Sequence, residues 1–267
     1  MICKFAHVDS FTDSPFAGNP AAVCLLKNVN SDEWLQSVAV EMNVSNTAFV
    51  YLHEKGPDGY KLRWFTAAAE VPLCGHATLA SAHLLWEDGV TSSADKISFS
   101  TLSGRLEARK KGQEIELDFP LDPVVPETAP KNLAGMLGTD QWRFVGRCHL
   151  GYIVELESDE AVRQVAPDQT LLAALPGEVV IVTSRSSSRE YDFVSRLFAP
   201  SIGIPEDPVT GSSHCSLAPF WSERLGKSEM VGFQASKRSG SVRVTVAGDR
   251  VLIAGAAVTV MRGELLH

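Results

Sequence analysis

Apolar and polar positions alternate, or run apolar, over residues 1–8 and 21–26, on either side of a stretch punctuated by Asp13-Ser14-Pro15 and Gly18-Asn19-Pro20. Two strands with an ordered turn region between them are predicted, because Gly and Pro interrupt regular pairing. The period then changes: Trp34, Leu35, Val38 and Met42 recur at helical spacing behind Ser31, Asp32 and Glu33. A capping hydroxyl with first-turn acids suits a helix N-terminus, and a helix near 31–42 is predicted. Short β-branched, aromatic or alternating segments follow at Thr47–Leu52, Lys61–Phe65, Lys96–Ser100, Arg105–Lys110 and Glu114–Phe119, each a predicted strand. Pro120, Pro123, Pro126 and Pro130 then mark a linker. Beyond it, strands are predicted near 150–156, 179–183, 190–198, 231–235, 241–247, 250–254 and 257–261. In local order the chain is α+β.

One strand-loop-helix unit occurs twice. Arg63-Trp64-Phe65-Thr66 leads through a Val-Pro turn to Cys74-Gly75-His76, the small-residue run Ala77–Ala82, Trp86 and Gly89. Arg196-Leu197-Phe198-Ala199 leads to Thr210-Gly211-Ser212-Ser213, the run Cys215–Ala218, Trp221 and Gly226. Helices so apolar on every face are expected to be buried within a surrounding sheet, and Pro219 is expected to end or kink the second if it lies inside it. Each is expected to open with its glycine, leaving bare first-turn amides that favour an anion such as a carboxylate.

The titratable groups near these starts are His76, Cys74, Glu206 and Asp207. His76 and Asp207 could form an acid/base pair for a proton shift; equally, His76 could be a core histidine satisfied by a carbonyl, and Asp207-Pro208 a turn with a helix cap. A Cys74–His76 thiolate pair is disfavoured, because positions two apart on a helix face different ways. The seven histidines show no ligand spacing, and the sequence has no P-loop and no GxGxxG motif, so neither a metal nor a nucleotide is assigned.

A formal net charge of -8 argues against nucleic-acid or lipid-phosphate partners and for a small molecule or another protein. No apolar run approaches the length of a membrane span, and a cytoplasmic location is expected. Five scattered cysteines without CxxC spacing suggest neither a disulfide framework nor a zinc cage.

Several segments taken together match one family: Asp9-Ser10-Phe11-Thr12 with Pro15–Val23, Glu41-Met42-Asn43 leading to Ser45–Val50, Arg63-Trp64-Phe65-Thr66, Glu70–Thr78, and Phe198-Ala199-Pro200 with Glu206–Ser212. From first strand to last, the chain resembles the phenazine-biosynthesis isomerase (PhzF-like) family. That resemblance implies a diaminopimelate-epimerase-like fold of two pseudo-symmetric halves, each a β-sheet wrapped around a central helix, with the active site between the helix starts. The expected halves are 1–120, joined by the last strand at about 256–267, and 121–255. No cofactor, a homodimer and cofactor-independent isomerisation of a small carboxylated substrate are implied. The best-known member isomerises trans-2,3-dihydro-3-hydroxyanthranilate.

Residue by residue, the resemblance makes His76 and Asp207 catalytic and Gly75, Gly211 and Ser212 anchors of the substrate, with Gly18, Asn19 and Ser45 lining the cleft. Asn46 stands where the family carries its proton-shuttling glutamate in a Ser-Glu-Thr pattern. An amide does not take up and release a proton near neutral pH. A different base such as Asp207, a catalytically impaired binding or interaction protein, and an introduced substitution all accommodate Asn46. A two-thiol racemase is disfavoured, since Pro208-Val209-Thr210-Gly211 holds no partner for Cys74.

Overall fold

A computed structural model describes residues 3–57, 59–91, 96–175 and 179–266. They divide into two compact units, Met1–Phe119 with Ala254–His267, and Pro120–Ile253. In the first, β1 (Cys3–Ser10) pairs antiparallel with β2 (Asn19–Leu26), and after α1 (Asp32–Met42) the strand β3 (Asn46–Gly56) returns parallel to β2. β4 (Gly59–Phe65) and β5 (Glu70–Val71) continue antiparallel; α2 (Gly75–Glu87) follows; β6 (Lys96–Thr101) lies parallel to β4, and β7 (Gly104–Lys111) and β8 (Glu114–Pro120) complete the meander.

The second unit opens with β9 (Val125–Pro126), α3 (Leu133–Leu137), β10 (Trp142–Cys148) and β11 (Gly151–Leu156). Two short helices, α4 (Asp159–Gln164) and α5 (Gln169–Ala173), lead to β12 (Val179–Arg185), parallel to β11. β13 (Phe193–Ala199) and β14 (Ile204–Asp207) then run antiparallel, and after α6 (His214–Leu225) the strand β15 (Glu229–Gln234) lies parallel to β13, followed by antiparallel β16 (Gly240–Ala247). β17 (Arg250–Gly255) carries the chain across the boundary to β18 (Ala257–Leu265), which pairs with β1.

The order of pairings is the same in both units: antiparallel, parallel, antiparallel, antiparallel, helix, parallel, antiparallel. The repeated sequence motif thus marks a repeated sheet, and the architecture is the sheet-dominated α+β fold the resemblance implies. Equivalent arginines do equivalent work. Arg63 on β4 grips Glu70 with two bonds of 2.7 Å, and Arg196 on β13 grips Glu206 with bonds of 2.7 and 3.0 Å. Each forked, partly buried pair ties a sheet strand to the short strand that leads toward the following helix.

As the small-residue pattern predicts, every residue from Gly75 to Ala82 is buried, and α2 packs against β1, β2, β3, β7 and β18. Its buried hydroxyls bond carbonyls one turn back: Thr78 Oγ1 donates to the Cys74 carbonyl at 2.6 Å and Ser81 Oγ to that of Ala77 at 2.7 Å. α1 forms as predicted, with Ser31 Oγ accepting from Trp34 N–H at 3.3 Å and Leu35, Val38 and Ala39 buried.

Pro219 lies inside α6, and the helix continues past it to Leu225. Proline removes the N–H that would bond the Cys215 carbonyl. The backbone N–H of Asp122 takes its place at 3.1 Å, while the Asp122 carboxylate accepts from Ser216 Oγ at 2.6 Å. A partner from outside the helix therefore offsets the expected break. Two further differences are local. β13 starts at Phe193 rather than near 190, because Ser186 and Ser188 turn the chain by accepting from Ser188 and Glu190 N–H. β10, containing Gly146 and charged residues at 143 and 147, carries too weak an alternation to be predicted.

The parallel pairing of β11 with β12 depends on Gly151, whose φ is +147° and where an added Cβ would lie 2.2 Å from the Val179 carbonyl oxygen. Gly151→Ala is expected to cost about 2–4 kcal/mol from the combined clash and backbone strain, measured by urea unfolding; a loss below ~0.5 kcal/mol would contradict this close approach.

Candidate active site

In the first unit Ser10, Asn19 and Cys74 converge on His76 in the first turn of α2. β1 and β2 bring Ser10 opposite Asn19, and the parallel register of β2 and β3 sets Ala21 beside Asn46. The starts of β2 and β3 therefore share one end of the sheet. Gly18, with φ +64°, admits the turn into β2; a Cβ there would stand 2.2 Å from the Ser10 carbonyl oxygen. Ser45 is half-buried and immediately precedes Asn46, which is buried at the head of β3.

His76 follows Gly75 in the first turn of α2, and Ser10 Oγ donates to its backbone carbonyl at 2.8 Å. Its ring Nδ1 lies 3.3 Å from the Asn19 side-chain nitrogen, itself fully buried, and 3.5 Å from Cys74 Sγ. With the Asn19 amide placed nitrogen toward the ring, Nδ1 accepts and the imidazole proton resides on Nε2. Burial pushes the His76 pKa down from its ordinary value to about 3, so the ring is neutral at physiological pH. It is equipped to donate a hydrogen bond through Nε2–H as a neutral ring, not to act as an imidazolium.

The contact with Cys74 corrects the sequence expectation. Cys74 is not within the helix but is its extended N-cap, with φ −147° and ψ 106°, so the side chain turns toward the ring two residues on. The helical-face argument fails for a residue outside the helix.

In the second unit Asp207 ends β14 and is 8% exposed. The hydroxyl of Thr210 makes a very short hydrogen bond to Asp207 Oδ2. Gln234, fully buried at the end of β15, donates from Nε2 to the Asp207 carbonyl at 2.8 Å and to Thr210 Oγ1 at 3.3 Å, and accepts from Thr210 N–H at 2.9 Å. Ser213 Oγ and His214 Nδ1 both bond the Thr210 carbonyl at 2.8 Å. The sequence marks none of Thr210, His214 and Gln234 as a site residue; Gln234 in particular carries no local signal, since it is 27 residues from Asp207 and meets it only through the pairing of β13 with β15.

Contrary to the sequence expectation, α6 does not open with Gly211. It begins at His214 behind Ser213, and Gly211–Ser213 form a tight turn in which His214 and Cys215 N–H bond the carbonyls of Gly211 and Ser212. The bare amides consequently belong to that turn rather than to the first helical residues. Neither Cys74 before α2 nor Ser213 before α6 caps its helix with a side chain, whereas Ser31, Ser158 and Asp168 cap α1, α4 and α5. His214, not His76, is the core histidine satisfied by a carbonyl. The candidates thus form one group of Gly18, Asn19, Ser45, Asn46, Gly75 and His76 in the first unit, and one of Asp207, Gly211 and Ser212 in the second.

All five cysteines are buried and unpaired by disulfide, and burial drives the Cys215 thiol up to about 12, so it is un-ionised. Among the described residues no group of three or more His, Cys, Asp or Glu side chains could hold a metal ion, and no helix is long and apolar enough to cross a membrane.

A family model described as phenazine biosynthesis-like protein matches residues 8–263. An uncharacterized isomerase of Halalkalibacterium halodurans is 50% identical over 260 residues, covering 97% of each chain. The crystal structure of a PhzF-family phenazine biosynthesis protein of Enterococcus faecalis superposes with a TM-score of 0.93 at 36% identity, covering all of both chains. A hydroxyproline epimerase of Agrobacterium vitis shares the fold at a TM-score of 0.62 and 11% identity, over 99% of this chain and 92% of that one.

His76 and His214, lowered by burial to about 3 and about 4, make stability pH-dependent. Between those values and the ordinary ~6.5 the unfolded chain binds protons that the folded chain refuses, so stability is greatest above that pH and falls as pH drops. Urea unfolding between pH 6.5 and 5 is expected to show a loss approaching about 1.4 kcal/mol per pH unit for each histidine, reduced in His76→Gln and in His214→Asn. An unchanged slope in both variants would contradict the burial of neutral rings.

Proposed function

Since this chain belongs to the phenazine biosynthesis-like protein family, we propose that it is a cofactor-independent isomerase that moves a proton within a small carboxylated, amino-acid-like or cyclic substrate. The observation that carries this reading is the chemistry beside each helix start lacking a side-chain cap: a neutral buried imidazole at α2 and a buried carboxylate ahead of α6. In this reading the amides of Gly75 and of Gly211-Ser212 bind the substrate carboxylate, as unpaired N–H groups at helix starts favour anions.

Asp207 takes a proton from the substrate carbon, the double bond shifts, and the carboxyl, after exchanging that proton with solvent, returns one to the carbon at the far end of the shifted system. Charge that develops on the substrate meets the Nε2–H of His76. Asn46 can hydrogen-bond the substrate but cannot relay a proton, which assigns the base role to Asp207. Gly18, Asn19 and Ser45 shape the first unit's side of the site. A cytoplasmic location and a homodimer belong to the same proposal, and light scattering of the purified chain tests the dimer.

Turnover of trans-2,3-dihydro-3-hydroxyanthranilate and of related unsaturated amino acids in deuterated buffer is expected to place solvent deuterium on the carbon that gains the proton. Asp207→Asn is expected to lower kcat by about 10²–10⁴-fold, the usual worth of a positioned acid/base. Product formed without any solvent deuterium, or undiminished kcat in Asp207→Asn, would refute the mechanism. Asn46 itself favours one second reading, a small-molecule binder descended from an enzyme; it predicts ligand binding without turnover in this chain and turnover in Asn46→Glu.

A further inference from the structure

We infer that Thr210 and Gln234 are positioning residues that hold Asp207 in its ionised, proton-accepting form. The inference deepens the proposed function and rests on its assignment of Asp207 as the base.

The geometry fixes the direction of the hydrogen bonds that link Gln234, Thr210 and Asp207 Oδ2. Gln234 is fully buried, and its amide could be placed either way round were it not for two backbone partners whose roles are invariant. Thr210 N–H, 2.9 Å away, can only donate, so the facing atom is Oε1; the Asp207 carbonyl, 2.8 Å away, can only accept, so the other is Nε2. Nε2 also lies 3.3 Å from Thr210 Oγ1 and supplies it with a hydrogen. With that N–H arriving, the hydroxyl's own proton is directed to Asp207 Oδ2.

The order is therefore Gln234 N–H to Thr210 O–H to the Asp207 carboxylate. A proton on Oδ2 would face the threonine proton, so the network favours the charged form at a position only 8% exposed, where burial alone would favour the neutral one. The remaining polar atoms of Thr210 are engaged as well, its carbonyl accepting from Ser213 and His214 at 2.8 Å. Among neighbouring ionisable groups, Glu206 on the same strand is held by Arg196 of β13, and His214 at the head of α6 is neutral by burial.

The test is the titration of Asp207 itself, followed by carbon-13 NMR of aspartate-labelled chain with the signal assigned by Asp207→Asn. Relative to the unsubstituted chain, the pH at which Asp207 takes up its proton is expected to rise in Thr210→Val and in Gln234→Leu and to stay in place in Thr210→Ser, which restores the hydroxyl. With an active substrate, kcat of Thr210→Val falls about 10-fold on the acid side and recovers as pH rises, with KM little changed. Thr210→Val is close in shape, so it keeps the test valid if Gln234→Leu fails to fold. An Asp207 titration identical in Thr210→Val and the unsubstituted chain overturns the inference. A shifted titration in a chain that turns over no substrate upholds the positioning network while removing the isomerase reading.

Discussion

Burying a helix that is apolar on every face is the constraint on which the rest of this structure depends. From Gly75 to Ala82, α2 has no surface to offer water, so strands must cover several of its sides, and it accordingly meets β1, β2, β3, β7 and β18. Its backbone is self-satisfied along its length, and its buried hydroxyls bond back to their own helix. What cannot be satisfied from within is the first turn, whose amides have no partner four residues earlier. Polar groups buried there are His76 of the helix itself and Asn19 and Ser10, which the ends of β2 and β1 bring to it.

The second unit repeats the scaffold and changes the chemistry. The forked Arg63–Glu70 and Arg196–Glu206 pairs hold equivalent strands in equivalent registers. Yet the strand position that carries Asn46 beside Ala21 in β3 carries Val179 beside Gly151 in β12. One unit contributes a neutral ring whose tautomer Asn19 determines; the other contributes a carboxylate set within a threonine-centred network.

Pro219 shows how a local rule yields to tertiary context. Proline inside a helix leaves a carbonyl without its donor, and in isolation that favours a break. Asp122, more than 90 residues earlier, supplies the missing N–H to Cys215 and receives the hydroxyl of Ser216. The Pro-rich stretch that reads as a linker therefore also carries the residue that keeps α6 whole.

By itself the sequence determined what depends on period and composition: the helix over 31–42, most strands, the buried small-residue helices, the repeat and the membership that the motifs announce. Candidate residues carried by those motifs, among them His76, Asp207 and Asn46, were legible for the same reason. Only the tertiary structure decided the directions and partners. Cys74 meets His76 because a cap residue leaves the helical path, α6 starts after Gly211 because a tight turn intervenes, and Gln234 reaches Asp207 because a parallel pairing joins strands far apart in the chain. Hydrogen-bond direction and long-range register are properties of atoms in space, and a one-dimensional pattern holds no record of them.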